Sequence, residues 1–575
     1  MSQADRSWDV ETDLVVVGAG AGGMTAALVA ALEGLDVILC EKSDTVGGTT
    51  ATSAGTVWIP GNEQGRCAGT PDSINAAQVY LGALLGEHAA DARVDAFLQA
   101  GPVMLDYLAR RTSVLFAAPP VHPDYKDLPG AATGGRALGV VPFDGRTLGK
   151  DFDRVRPPRR EFMVLGGMMV AKVDIAPLLS PFRSWSNFTD VIALLGRYLF
   201  DRLSHRRGTR LVMGNALVAR LLDSVLRVGV HLRYETGLSE LVRNGEAVVG
   251  AVFSSPAGAL AIRAHKGVVL ATGGIGWSRE LREKLFPEAA RQFSLTPSSC
   301  TGDGLLAAES VDAVIERDLD SPALWMPSSV MTQADGHVSV FPHIMLDRAK
   351  PGLLAVNRSG RRFVNEADSY HDFAAAMLRS NASSASSVPA FLICDHDFIR
   401  TYGIGLVRPG TKDLSKFLKA QYLLAAETIE ALAEKIGVGG GELAQTVERY
   451  NGFAESGVDE DFGRGSSELN RFNGDPLVKP NPCLRRIGPG PYYAVAVWPT
   501  DLASSAGLRT DATARVLSRR GTAIPGLYAV GADSASIFRG SYPGPGTMIG
   551  PAMTFGWCAA MHASRASPAP RPAKR

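Results

Sequence analysis

The sequence predicts an α/β fold, with a Rossmann-like domain that is discontinuous in the chain and an α+β domain inserted into it. Three observations carry this expectation. The apolar run Leu14-Val-Val-Val17 enters Gly18-Ala-Gly20-Ala-Gly-Gly23 and then an alanine-rich helical segment. A second apolar run over 35–40 ends on Glu41, which gives a complete βαβ dinucleotide-binding pattern. Strand-like runs of the same kind return at 266–270 and 521–530, on either side of a long mixed segment between 301 and 491.

The elements follow in order. Residues 14–17, 23–33 and 35–40 are predicted as strand, helix and strand. Between Asn215 and Leu226 the residues Leu217, Val218, Leu221, Leu222 and Val225 recur at helical spacing. Strands are expected at 230–234, 238–242, 248–253 and 266–270, the last running into a glycine turn at Gly273. This return is expected to rejoin the same parallel sheet. The inserted part shows strands at 338–341, 352–357 and 390–394 and a helical stretch over 414–436. The final helix is expected to begin near Ile549, with Pro551 in its first turn. Residues 162–170 suggest a strand and turn, and 191–195 part of a helix. Plain core is the expectation for both, with lining an apolar pocket or contact with a membrane surface as the alternatives. The predicted domains are 1–305 and 491–566 for the cofactor and 306–490 for substrate and catalysis, followed by a disordered tail at 567–575.

The totals narrow the function. The 575 residues carry 59 Lys+Arg against 58 Asp+Glu, a net charge of +1 that gives no reason to expect nucleic acid. The cysteines at 40, 67, 300, 394, 483 and 558 stand too far apart for metal-ligand spacing, so no metal site is expected. Cys300 is expected to be a structural thiol. No run of about 20 apolar residues appears, so no membrane span is expected. The first residues lack an apolar targeting core, which makes a reducing, cytoplasmic setting the default expectation.

The glycine pattern has a physical reading. Gly18 permits the tight turn after the strand, Gly20 lets the backbone approach a diphosphate, and Gly23 lets helix pack closely on strand. The helix N-terminus then faces the anion. Glu41 can accept hydrogen bonds from a ribose 2′-hydroxyl and would repel a 2′-phosphate, which disfavours an NADP-type ligand. The loop Gly47-Gly-Thr-Thr-Ala-Thr-Ser-Ala-Gly55 favours FAD over NAD. Only one complete fingerprint occurs, so a second nicotinamide site is not expected, and electrons should leave the flavin for a separate acceptor such as a quinone.

With these motifs in place, the chain resembles the flavoproteins related to fumarate reductase, and within them the bacterial 3-ketosteroid Δ1-dehydrogenases. The marks are Gly48-Thr-Thr-Ala-Thr-Ser-Ala-Gly55, Val364-Asn-Glu-Ala-Asp-Ser-Tyr-His-Asp372 and the run Arg539 to Met553 with Ser-Tyr-Pro-Gly-Pro-Gly inside it. The resemblance implies that Thr49, Thr50, Ser53, Asp303 and Asp533 lie by the FAD, together with Lys42, Gly55, Gly273 and Ile549.

It also implies a reaction. The family removes vicinal hydrogens from C1 and C2 of a 3-oxosteroid, with the C1 hydride passing to flavin N5. Carried over, Tyr370 takes the C2 proton with Tyr125 as its helper, and Tyr542 and the Gly546 N–H hold the 3-oxo group. Removing a hydrogen α to a ketone requires a stabilised enolate oxygen, and one donor at such a site contributes about 3 kcal/mol. A phenol with an ordinary pKa near 10 needs help to act as a base. Where a fumarate-type site has several cations, the loop here has Ser-Tyr-Pro-Gly-Pro-Gly, so a neutral apolar ketone is expected. The alternatives are a 3-oxo-5α-steroid 4-dehydrogenase, a dehydrogenase of another cyclic ketone, or a non-enzymatic electron-transfer flavoprotein. An apolar substrate and the Met-rich stretch at 162–170 add peripheral membrane contact to the expectations.

Overall fold

The structure, a computed structural model, describes residues 7–345, 347–383 and 386–566. The tail expected at 567–575 lies outside the described residues.

The chain opens with β1 (Val10–Val17), α1 (Ala21–Leu32) and β2 (Val37–Cys40). After α2 (Gly48–Ala51) and α3 (Met213–Arg227) come β3 (His231–Arg233), β4 (Gly237–Asn244), β5 (Ala247–Ser255) and β6 (Gly258–Leu270). β2 lies between β3 and β1, and β6 lies on the other side of β1, all in parallel. Leu14 and Val16 of β1 face an apolar cluster that includes α1, while Val15 and Val17 face a second cluster on the opposite side. Burial on both faces explains why β1 and β2 are continuous apolar runs without polar alternation.

β4 and β5 depart from the expected parallel sheet. They form an antiparallel meander onto the first half of β6. A chain that turns straight back can only pair antiparallel; parallel pairing needs a crossover.

The inserted part forms a separate antiparallel sheet. Its strands are β7 (Ala323–Thr332), β8 (Val338–Pro342), β9 (Leu353–Val356), β10 (Ala390–Asp395), β11 (Leu424–Ala426) and β12 (Tyr492–Ser504), with α4 (Tyr370–Ala382) packed against β7. The order is β8-β7-β12-β10-β9, and β11 also pairs with β12. The chain then returns to the first sheet, where β13 (Ala523–Ala529) pairs in parallel with the end of β6. α5 (Ile549–Arg565) closes the domain against α1. Gly22 and Gly556 permit this approach: a Cβ on Gly22 would sit 3.0 Å from the Ala552 carbonyl, and one on Gly556 2.6 Å from the Gly22 carbonyl. The fold is therefore a discontinuous Rossmann-like cofactor domain with an inserted α+β domain.

Several details differ from the sequence expectation. The boundary at 305/306 cuts the helix Asp303–Glu309, and the boundary at 490/491 assigns β12, the middle strand of the second sheet, to the wrong sheet. Both errors come from placing boundaries by composition, which cannot show strand pairing. The expected helix over 414–436 is broken into Ser415–Lys419 and Ile429–Ile436, with β11 between them. Gln421 has φ +52° at the break, and buried Tyr422 fixes the chain there by hydrogen bonds to Ser329 and the Leu406 N–H. The strand and turn at 162–170 is a short hairpin, Met163–Val164 with Met168–Met169. The helical residues 191–195 fall in the helix Trp185–Asp201, but Ile192 is exposed, so the core expectation fails for that helix.

Candidate active site

The glycine turn after β1 is shaped by backbone contact. Gly18 has φ +103°, and a Cβ there would lie 2.2 Å from the Ala271 carbonyl oxygen. A Cβ on Gly23 would lie 1.9 Å from the Gly18 carbonyl oxygen. Gly20 is different. A Cβ there would meet only the Thr50 hydroxyl, 3.9 Å away. The N–H groups of Gly20, Gly22 and Gly23 donate to no described residue, and α1 has neither a side-chain cap nor an acidic residue in its first turn. Unfilled donors at a helix N-terminus, with room beside them, suit the diphosphate of a dinucleotide.

Glu41 accepts from the Ala19 N–H at 2.8 Å and the Ser43 N–H at 2.9 Å, so it also braces the glycine turn. Each carboxylate oxygen keeps acceptor capacity for a ribose hydroxyl. Thr50 accepts from the Ala21 N–H, Ser53 donates to the Thr50 carbonyl and accepts from the Gly55 N–H, and Gly55 (φ +67°) abuts Met213 and Gly214. Thr49 lies 4.0 Å from the Cys300 sulfur, which also borders Gly273. Burial pushes the Cys300 thiol up to about 12, in keeping with a structural role.

Lys42 donates to Asp303 at 2.8 Å and to Thr301 at 2.6 Å. Asp303 therefore pairs across the site and does not cap its own helix. Asp533 is fully buried and accepts from the Thr272 N–H and hydroxyl and the Gly274 N–H, which fixes the turn after β6. Burial raises its carboxyl above the usual carboxylate range, opposed by those hydrogen bonds. Ile549 opens α5, at the end of the loop that carries Tyr542 and Gly546. Of the expected cofactor residues, Glu41 and Thr50 thus bond directly to the backbone of the glycine turn, and Lys42 bonds to Asp303.

Two loops and one helix bring the tyrosines together. Tyr370 is the first residue of α4, whose N-terminus is capped by Ser369. Its hydroxyl donates to the Tyr542 oxygen at 2.6 Å, and the Tyr125 hydroxyl donates to Tyr370 at 3.3 Å. Ring centroids are 5.2 Å apart for Tyr370–Tyr542 and Tyr125–Tyr542, and 5.7 Å for Tyr125–Tyr370. All three side chains are buried in one apolar cluster with Leu295, Leu324, Met326, Val340 and Met345. Burial pushes the Tyr542 hydroxyl up to about 12 and those of Tyr125 and Tyr370 further above their ordinary value. A phenolate at Tyr370 is therefore disfavoured by desolvation, and the neighbour oriented to donate to it is the Tyr125 hydroxyl. Gly546 has φ +100°, and a Cβ there would press on the backbone of Val57 and Trp58 at 2.5 Å. Its N–H donates to no described residue.

His371 is not available as an acid or base. Its Nδ1 accepts from the Trp325 N–H at 3.1 Å, and burial holds the ring down to about 4.

The residues that tie this site together were not singled out in the sequence. The Trp58 N–H donates to the Gly546 carbonyl at 3.3 Å, and its indole N–H donates to Asp124 at 2.8 Å. Asp124 also accepts from Arg136 at 2.6 Å, and the Arg136 guanidinium pairs with Asp72. Burial pushes the Asp124 carboxyl up to about 6 against the pull of Arg136. The next residue, Tyr125, donates its N–H to the Pro543 carbonyl at 2.9 Å, which also accepts from the Tyr80 hydroxyl at 2.7 Å. Trp58 thus joins the Tyr125 turn to the 542–546 loop. The available signal was position: Asp124 precedes Tyr125, and Trp58 follows the Gly/Thr/Ser loop.

Comparison with known proteins defines the class. Residues 13–549 match the family described as FAD binding domain. The chain belongs to the FAD-binding oxidoreductase superfamily that includes 3-ketosteroid Δ1-dehydrogenases and fumarate reductases. It is 40% identical over 560 residues to a 4-oxocyclohex-2-ene-1-carboxylate 5-dehydrogenase of Sinomonas cyclohexanicum, covering 97% of this chain and 94% of that one. It is 37% identical to a 3-oxosteroid 1-dehydrogenase of Mycobacterium tuberculosis, covering 96% and 98%. The crystal structure of a 3-ketosteroid Δ1-dehydrogenase from Sterolibacterium denitrificans, in complex with 1,4-androstadiene-3,17-dione, superimposes with TM-score 0.90 at 37% identity. That match covers 96% of this chain and 99% of the other.

Proposed function

We propose that this protein is an FAD-dependent dehydrogenase that introduces a double bond between C1 and C2 of a 3-oxosteroid. The observation that carries this reading is the chain of three tyrosine hydroxyls in an apolar cluster, with the unpartnered Gly546 N–H on the adjoining loop. Similarity to 3-oxosteroid dehydrogenases over nearly the whole chain supports it.

The residues take distinct roles. Gly20, Gly22 and Gly23 offer backbone N–H groups to the FAD diphosphate, and Glu41 accepts from a ribose hydroxyl. Lys42, Thr49, Thr50, Ser53, Gly55, Gly273, Asp303, Asp533 and Ile549 shape the rest of the cofactor region. Bound FAD supplies the acceptor for the hydride lost from C1. The Tyr542 hydroxyl and the Gly546 N–H hold the ketone oxygen and stabilise its developing negative charge. Tyr370 takes the proton from C2, and the Tyr125 hydroxyl stabilises the phenolate that this requires. Packing of the apolar cluster excludes water, which strengthens these hydrogen bonds. Electrons then pass to a separate acceptor such as a quinone, and the setting is cytoplasmic.

A second reading has a specific basis: the 40% identical relative named for a 4-oxocyclohexene carboxylate. That substrate would share the cyclic ketone but carry a charge. Three cations border the tyrosine cluster among the described residues, and all are already engaged: Lys126 donates to Asp372 at 2.6 Å. Arg159 donates to the carbonyls of Leu295 and Val340, and fully buried Arg348 donates to those of His343, Ile344 and Glu366. A buried carboxylate without its own cation is costly, which favours the neutral steroid.

Anaerobic mixing of the flavin-loaded protein with a ketone panel tests both readings. The panel contains 3-oxosteroids, a 5α-reduced 3-oxosteroid and 4-oxocyclohexanecarboxylate. Rapid bleaching of flavin absorbance by a 3-oxosteroid, with the new double bond at C1–C2 by NMR, is the expected outcome. A double bond at C4–C5 points to the 4-dehydrogenase, and bleaching by the keto acid alone points to the second reading. No bleaching by any member of the panel overturns the assignment.

A further inference from the structure

We propose that the ion pair between Lys126 and Asp372 is a positioning clamp, which holds Tyr125 against Tyr370 across the boundary between the cofactor domain and the inserted domain. Its catalytic value rests on the proton-removing role proposed for these two tyrosines.

The tyrosines have different supports. Tyr125 lies on a loop fastened to the cofactor domain. Its N–H donates to the Pro543 carbonyl at 2.9 Å. Its neighbour Asp124 accepts from the Trp58 indole, from Arg136 and from the Ala132 N–H. Tyr542 precedes Pro543, so Tyr125 and Tyr542 share one support. Tyr370 instead opens α4, which packs on β7 of the inserted domain. Two hydroxyl contacts therefore cross the boundary. The Tyr370–Tyr542 bond is short at 2.6 Å, whereas the Tyr125–Tyr370 bond is 3.3 Å, long for two hydroxyls. The weaker contact is the one that the ion pair flanks.

Lys126 follows Tyr125 directly, and Asp372 stands two residues after Tyr370. The Lys126 Nζ lies 2.6 Å from Asp372 Oδ1. The other carboxylate oxygen, Oδ2, accepts from the Ser369 hydroxyl at 2.7 Å, and the Asp372 N–H donates back to Ser369 Oγ at 3.1 Å. The carboxylate is thus fixed to the first turn of α4, the turn that begins with Tyr370. Among the described residues no other ion pair joins the Tyr125 loop to the inserted domain.

A partly exposed lysine–carboxylate pair adds little to global stability. The side chains here are 35% and 23% exposed. The effect of the pair falls on geometry instead. A helper hydroxyl must stay within hydrogen-bond reach of the base, and a displacement of about 1 Å is enough to slow a reaction up to about a hundredfold. Partial exposure also leaves the pair open to screening by salt, unlike the buried tyrosines.

Two measurements on the flavin-loaded protein test the clamp: single-turnover reduction of the flavin by a 3-oxosteroid, and amide hydrogen exchange over residues 122–132 and 370–376. Lys126→Met is expected to lower the reduction rate about tenfold, with substrate affinity within about twofold of the parent. Its melting temperature should be unchanged and its exchange faster in both segments. Asp372→Asn keeps an acceptor for Ser369 and is expected to lose the same rate. The double variant should be no slower than either single variant, because each removes the same interaction. Lys126→Arg should recover most of the rate. High salt should slow the parent towards the Lys126→Met rate and leave that variant unaffected. Losses that multiply in the double variant overturn the proposal, as do a rate and exchange like the parent's in Lys126→Met. If no ketone reduces the parent's flavin, the dehydrogenase reading fails, and the exchange comparison decides the clamp alone: unchanged exchange in Lys126→Met overturns it, and faster exchange in both segments sustains it.

Discussion

The glycine turn and the tyrosine cluster differ in how much of the chain each requires. The turn is contained in Gly18–Gly23 and its geometry is almost wholly backbone. The cluster joins Tyr125 to Tyr370 across 245 positions and Tyr370 to Tyr542 across 172. The turn is therefore sensitive to one added methyl group. The cluster is sensitive to anything that moves one of its loops, including residues that touch neither ligand.

The largest effect is expected at Gly18. Gly18→Ala puts a Cβ 2.2 Å from the Ala271 carbonyl at φ +103°, and neither backbone can yield. Soluble protein with bound flavin should be lost, as read by the ratio of flavin to protein absorbance. Normal flavin content would show that the turn is not this tightly packed.

Tyr370→Phe should come next, lowering the rate of flavin reduction by ketone about 10³-fold with flavin still bound, within the range for a general base. In the parent protein the rate should rise by about tenfold per pH unit towards alkaline pH while Tyr370 remains mostly protonated. The sign follows from the raised ionisation of this hydroxyl: only the small phenolate fraction is active, and it grows with pH. A flat profile in single-turnover measurements would remove Tyr370 as the base.

Gly20→Ala separates cofactor fit from folding. The empty protein has space for this methyl group, with its nearest neighbour at 3.9 Å. Melting of the flavin-free protein should hardly change, whereas flavin affinity should fall about thirtyfold, equivalent to about 2 kcal/mol. Equal loss in both measurements would mean that Gly20 serves the fold.

The smallest effect is expected at Trp58→Phe. The ring keeps its packing against Phe97 and Phe538, but Asp124 loses one hydrogen-bond donor. The turnover rate should fall about tenfold with little change in KM, consistent with about 1.5 kcal/mol for one buried charge-assisted bond. A change confined to KM would assign Trp58 to ketone binding rather than to alignment of Tyr125 and the 542–546 loop.

Local sequence patterns determined the βαβ unit, the acid at its end and the final helix. Each follows from short-range rules: a buried parallel strand is a short apolar run, a tight turn needs glycine, and a helix repeats every 3.6 residues. Resemblance added the three tyrosines before any contact between them was visible. Tertiary structure alone decided that β12 belongs to the second sheet, that residues 414–436 break around Tyr422, and that Ile192 faces outward. It also revealed the Trp58–Asp124–Arg136 connection. Strand pairing, the direction in which a helix faces and a buried ion pair all depend on residues far apart in the chain. The free energy that selects them arises only when those residues meet.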